Sequence, residues 1–178
     1  MTEIPGAAFF YTLATVAITF VTFSSLLIIL RQTVGGGLTT YDSTVTRFFM
    51  QLGFIVIAGA LLPPLLGLCE APPDAIWRVS SGFTGVVLLI RVIGWPAQRR
   101  KALGPPAPAL ATFYMVAGLF AALLFVGNAI GFPWRPAMRF HAIAETLLLF
   151  TTGAAFLLSS KVILEQERPS GDEPTADV

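Results

Sequence analysis

The chain has 178 residues, of which 55% are hydrophobic and only 12% are charged, with a formal net charge of +1. Soluble domains carry a charged fraction of roughly 25%, and a nearly neutral chain offers no basic surface for nucleic acid, so we expect no nucleic-acid partner. The single histidine and single cysteine exclude an intrachain disulfide and a zinc or bis-histidine haem site within one chain, and we expect no metal and no cofactor.

The apolar residues stand in five long runs, each of a length that matches the hydrocarbon core of a bilayer. The runs lack the apolar and polar alternation of barrel strands, so they are predicted to be helices. They cover about residues 7–30, 45–68, 76–95, 107–131 and 136–163. The sequence therefore predicts an all-α fold, an integral membrane bundle of five transmembrane helices within residues 1–164. The polar, mostly acidic segment 165–178 is predicted to be a disordered tail.

The first run carries hydroxyl side chains at spacings of three and four residues. They are Thr12, Thr15, Thr19, Thr22 and Ser25. Such a face can line a hydrated path or pack closely against another helix, and we favour packing. In both cases the face is predicted to point into the bundle. The connection that follows, with Gly35–Gly37, is predicted to be a flexible surface connector rather than a lid.

The second run contains the pair Pro63–Pro64 near its end. A proline removes a backbone donor and kinks a helix, and a broken helix can present its carbonyls to an ion. Because the pair lies so close to the end of the run, a kink that terminates the helix is the favoured prediction. Gln51 in this run and Asn128 in the fourth are predicted to hydrogen-bond between helices.

The third run contains Arg91, which could coordinate an anion or act as a gating charge. Its long aliphatic stem also allows the guanidinium to reach the headgroups, and this is the favoured interpretation. Two pairs of small residues spaced four apart, Ser81 with Gly85 and Gly118 with Ala122, predict close helix contacts.

The fifth run contains Glu145, the only acidic residue inside a predicted span, one turn after the only histidine, His141. Residues four apart on a helix are neighbours, and Thr152 falls on the same face. An ionisable group in hydrocarbon is expensive, so its presence is by default a hypothesis of function. Imidazole also titrates near physiological pH. Glu145, His141 and Thr152 are therefore predicted to form an ion- or proton-binding site.

A structural role for Glu145 is an equally weighted alternative. Its carboxylate could pair with an arginine from another helix and hold the bundle together, although an ion pair buried merely for stability gains little. The candidate charge partners are Arg78, Arg139 and Arg91.

The distribution of Lys and Arg predicts the orientation of the chain. Arg31, Arg47, Arg99, Arg100, Lys101, Lys161 and Arg168 lie on one side, against Arg78, Arg135 and Arg139 on the other. We expect an integral protein of a bacterial inner membrane with its N-terminus outside and its C-terminus in the cytoplasm.

The favoured function is a small channel or transporter for protons, ions or a small solute. An accessory or scaffold subunit of a larger membrane complex is the alternative, followed by a sensor for a lipid or small hydrophobic ligand. No nucleophile motif accompanies His141, so an enzyme is not expected. The expected partners are the lipid bilayer and either further copies of the chain or a larger membrane complex.

Overall fold

A computed structural model describes residues 4–33, 40–103, 109–133 and 135–165. These residues form five helices in chain order: α1 (Ala7–Thr33), α2 (Thr40–Leu68), α3 (Pro73–Leu103), α4 (Ala109–Ile130) and α5 (Met138–Glu165). The predicted all-α fold with five helices is confirmed. The Gly35–Gly37 connector and the predicted tail beyond residue 165 lie outside the described residues.

Four of these helices, over their described residues, are long and apolar enough to cross a membrane. The candidate spans are Ala7–Leu30, Thr46–Leu68, Pro73–Gln98 and Thr112–Ile130. The sequence predicted five, and α5 is not among them. Helix α5 has 28 residues and carries Arg139, His141 and Glu145 in its first turns. The chain is thus a polytopic helical membrane protein with four candidate spans.

The fifth helix contacts each of the other four. Consecutive helices pack against each other, α1 packs against α5 to close the bundle, and α5 also contacts α2 and α3. Each helix places a fully buried apolar side chain in the shared core: Phe10, Val56, Leu88, Phe125 and Leu148. Each also exposes large apolar side chains on its outer face, among them Ile18, Phe54, Ile90, Phe120 and Phe150. An apolar outer surface is what a lipid environment requires.

The hydroxyl face of α1 does not point into the bundle, so that prediction is wrong. Thr12, Thr15 and Thr19 are exposed, and each hydroxyl donates to the carbonyl four residues earlier at 2.8–2.9 Å. Because these bonds satisfy the donors within the helix, the face can lie against lipid without an unpaired polar group. The buried face of α1 is apolar instead and includes Leu13, Ala14 and Ala17.

Helix α2 continues through Pro63 and Pro64 to Leu68, so the predicted termination at the prolines is wrong. An α-helical carbonyl normally accepts from the amide four residues later, and proline has no amide hydrogen. The carbonyls of Gly59 and Ala60 therefore lose their helical donors. Gly59 is buried, so its carbonyl needs a donor from another part of the protein.

The predicted close contacts of small residues are found between α3 and α4. A β-carbon placed on Gly85 would lie 2.8 Å from the β-carbon of Phe125. One placed on Gly118 would lie 3.0 Å from Cγ2 of Val92. A larger residue at either position would force the two helices apart, so the prediction is confirmed.

Candidate functional site

His141 lies in the first turns of α5 and is completely buried. Three aromatic rings from three other helices surround its imidazole: Phe125 at 5.2 Å, Phe10 at 5.6 Å and Trp77 at 6.0 Å between ring centroids. The bulky rings occupy the space through which lipid or water would otherwise reach the imidazole.

Both ring nitrogens of His141 have hydrogen-bond partners. Nε2 lies 3.1 Å from the carbonyl oxygen of Gly59, and Nδ1 lies 2.9 Å from Oγ of Ser81. A carbonyl can only accept, so Nε2 must carry the hydrogen, and in the neutral ring Nδ1 then accepts from the Ser81 hydroxyl. The Gly59 carbonyl is the one left without a helical donor by Pro63. Helix α2 thereby fixes which imidazole nitrogen is protonated.

Asn128 of α4 extends this chain of hydrogen bonds to the beginning of α5. Its Nδ2 donates to Oγ of Ser81 at 2.8 Å, which leaves the Ser81 hydrogen free to point at His141. The backbone N–H of Ala137, the residue before α5, donates to Oδ1 of Asn128 at 2.9 Å. The network thus joins α2, α3, α4 and α5, with a donor and an acceptor at every step.

Glu145 lies one turn further along α5 and is also completely buried, but neither carboxyl oxygen has a hydrogen-bond partner among the described residues. Its Oε1 is 3.8 Å from Nε2 of His141, beyond hydrogen-bond distance. The carboxyl group rests against the α-carbon of Gly59. A β-carbon there would lie 2.9 Å from both Cδ of Glu145 and Oγ1 of Thr84, and closer still to Oε1 of Glu145.

This geometry limits the chemistry of the pair. An ionised carboxylate without a partner costs several kcal/mol when buried, so the uncharged acid is the form that fits this environment best. Direct transfer of that proton to the facing nitrogen is blocked, because Nε2 of His141 already carries a hydrogen bonded to Gly59. The only accepting nitrogen of His141 faces Ser81, away from Glu145.

The third residue of the predicted site, Thr152, is not hydrogen-bonded to the pair. It is buried two helical turns beyond Glu145, and its hydroxyl donates to the carbonyl of Leu148 at 2.8 Å. The polar group of Thr152 is therefore satisfied within α5.

The three candidate arginines lie elsewhere. Arg78 is exposed near Gly131, and Arg139 is exposed with its guanidinium carbon 4.9 Å from the centroid of the Phe140 ring. Arg91 is half-buried and donates from Nη2 to Oε1 of Gln51. Over the described residues, none of the three lies within hydrogen-bond distance of the Glu145 carboxyl. The predicted interhelical bonds of Gln51 and Asn128 are confirmed.

Two grooves on the outer surface flank α5. One, of about 480 Å³, lies between α1 and α5 and is lined by Phe9, Ile143 and Phe150 among others. The other, of about 220 Å³, lies between α4 and α5 and includes Asn128. Neither groove is lined by His141 or Glu145. Within the described part of the chain, no group of three His, Cys, Asp or Glu side chains could hold a metal ion.

The spacing of His141 and Glu145 predicted that they are neighbours, but the residues that position them were not predicted. Gly59 is the most important omission, because it supplies both the acceptor for His141 and the space for Glu145. The signal was present, since Pro63 stands four residues after Gly59 and deprives its carbonyl of a donor. Ser81 was considered only as a small packing residue.

Comparison of the chain with protein-family models, with curated proteins and with solved structures finds no match.

Proposed function

We propose that this polytopic membrane protein is a small, non-catalytic channel or transporter in which Glu145 and His141 form an ion- or proton-binding site. One observation carries the proposal: the Glu145 carboxyl is completely buried and, over the part of the chain that the structure describes, has no hydrogen-bond partner and no arginine beside it.

A carboxyl group in this setting does not stabilise the fold. Burying a polar group without a hydrogen bond costs free energy, and an apolar side chain of similar size would pack at no such cost. This free-energy cost is explained if the carboxyl group is needed to bind and release a proton or a cation. Ionisable residues inside membrane proteins have this role in ion pathways and proton relays.

The surroundings of Glu145 also favour movement over permanent fixation. No hydrogen bond ties its carboxyl to α2 or α3, although Gly59 and Thr84 are adjacent. Transport requires a second conformation in which the carboxyl reaches water. A change in the conformation of the Glu145 side chain would provide it without breaking the bond between His141 and Gly59, because no polar bond of Glu145 has to be broken.

The test is a flux assay in proteoliposomes with the wild type, Glu145→Gln and, as a matched control, Glu70→Gln in the exposed turn between α2 and α3. We expect the wild type and Glu70→Gln to dissipate a proton or cation gradient, and Glu145→Gln to fall to the rate of protein-free liposomes. A wild type that conducts protons, Na⁺, K⁺ and Cl⁻ no faster than protein-free liposomes would contradict the proposal.

An accessory or scaffold subunit is the second candidate, and the closed hydrogen-bond network favours it. The network links four helices and neither outer groove opens onto Glu145. In that case the wild type is impermeant, and Glu145→Met raises thermal stability, because an apolar side chain of similar size removes the cost of burying a polar group without a partner.

A further inference from the structure

We propose that the ion bound at this site is a proton held by Glu145 alone, because Gly59 and Pro63 of α2 keep His141 permanently occupied as a hydrogen-bond donor. The inference rests on the proposed function of Glu145 and names its ion. Gly59 and Pro63 are positioning residues: they act on the proton through His141 and through the space they leave.

Pro63 determines which donor the Gly59 carbonyl receives. Its missing amide leaves the Gly59 carbonyl without a helical donor, and Nε2 of His141 takes that place at 3.1 Å. A restored amide at position 63 would compete for the same oxygen. As long as proline stands there, the hydrogen on Nε2 satisfies a buried carbonyl, and its loss would leave that carbonyl unpaired.

The surroundings of Glu145 do not suit a metal cation. Hard cations need several oxygen ligands at once. The Gly59 carbonyl already accepts from His141, and among the described residues neither Glu145 oxygen has a hydrogen-bond partner and no group of three His, Cys, Asp or Glu side chains could hold a metal ion. Nε2 of His141 lies 3.8 Å from Oε1 of Glu145. Because this nitrogen carries a hydrogen, it cannot act as a ligand for a cation. A proton bound covalently to Glu145 needs no such cage.

The helices that pack against α5 offer no second group to share the proton of Glu145 among the described residues. Helices α1 to α4 all pack against α5, yet within the described residues they contribute no fully buried charged side chain. Arg91, which is half-buried, is engaged with Gln51. The neutral hydroxyl nearest Gly59 belongs to Thr84 and donates to the carbonyl of Ser80 at 2.9 Å. Among the residues that the structure describes, His141 is the only titratable neighbour of Glu145 within ion-pair distance.

The first test uses the fact that His141 is the only histidine, so that ¹⁵N-histidine labelling reports on this ring alone. We expect one neutral species with the hydrogen on Nε2 throughout the range of about pH 5 to 8, in which a free imidazole titrates. Pro63→Ala should produce a second ring species, because its amide competes for the Gly59 carbonyl. Pro64→Ala is the matched control: its amide would bond to Ala60, so the spectrum should remain that of the wild type.

An unchanged spectrum in Pro63→Ala, or the same change in Pro64→Ala, would overturn the inference. If Pro63→Ala does not fold, Ser81→Ala replaces it. Removal of the Ser81 hydroxyl should shift the Nδ1 resonance while the hydrogen stays on Nε2, because Gly59 determines its position. A transfer of the hydrogen to Nδ1 would overturn the inference equally.

The second test separates a proton from sodium. A ligand that binds only the folded protein raises its melting temperature. We expect the wild type to melt at the same temperature in sodium chloride and in choline chloride of equal ionic strength. Stabilisation by Na⁺ that Glu145→Gln abolishes would overturn the proton assignment and leave the proposed ion site intact. Wild-type liposomes that are impermeant to every ion would instead refute the proposed function, whatever the histidine spectrum shows.

Discussion

A missing side chain at Gly59 decides where the Glu145 carboxyl lies. The carboxyl occupies the position where a β-carbon would be, beside Thr84, and the Gly59 carbonyl receives the hydrogen of His141. The sequence predicted that His141 and Glu145 are neighbours, because a spacing of four places them together on one helix. The contribution of Gly59 depends on how α2 meets α5, which a spacing within one helix does not specify.

Gly59→Ala is therefore predicted to destabilise the protein. The added methyl group must displace the Glu145 carboxyl or separate α2 from α5, and overpacking of this kind costs about 1–3 kcal/mol. Gly94→Ala in α3 is the matched control, since a β-carbon there meets only Nε2 of Gln98 at 3.8 Å. That change should be neutral or stabilising by about 0.5–1 kcal/mol, because glycine disfavours helix. Unfolding in detergent measures both, and equal effects would contradict the account.

At the scale of helices, polar residues differ in whether their own helix satisfies them. The hydroxyls of Thr12, Thr15 and Thr19 bond within α1 and face outward, whereas Asn128 of α4 bonds to α3 and to the start of α5. The sequence showed a hydroxyl face but not its direction, because hydroxyls that bond to their own carbonyls are compatible with lipid and with packing. Continuation of α2 through Pro63 was missed because the donor that compensates comes from α5.

This difference predicts opposite outcomes for two substitutions. Asn128→Ala removes the partners of Ser81 and of the Ala137 amide and should destabilise the bundle by about 1–3 kcal/mol. Thr15→Val removes a hydroxyl that bonds only within α1 and should stay within about 0.5 kcal/mol of the wild type. Unfolding in the same detergent compares them directly. A Thr15→Val variant as unstable as Asn128→Ala would place the hydroxyl face of α1 in the core after all.

At the scale of the whole molecule, the helix that carries the buried ionisable pair is the one that contacts all the others. Helix α5 carries His141 and Glu145 and packs against α1, α2, α3 and α4, and like the four candidate spans it exposes large apolar side chains on its outer face. Composition was enough to predict a helical membrane bundle, because apolar run length alone indicates spans. The run-length argument counted α5 as a fifth span, whereas four helices are candidate spans over the described residues.

The predicted orientation can be tested with the single cysteine. Cys69 is exposed at the end of α2, on the side that the distribution of Lys and Arg assigns to the outside. A membrane-impermeant maleimide should label intact cells expressing the wild type, and Cys69→Ser should remain unlabelled. Labelling that requires permeabilised cells would reverse the predicted topology.

Glu145 is proposed to hold a proton inside the bundle without a counterion, and infrared spectroscopy of the purified protein can detect that proton. A protonated carboxyl has a carbonyl stretching band that a carboxylate lacks. We expect the wild type to show this band at neutral pH, Glu70→Gln to retain it and Glu145→Gln to lose it. A wild-type spectrum without a band that Glu145→Gln removes would mean that the carboxyl is ionised, and the account would be wrong.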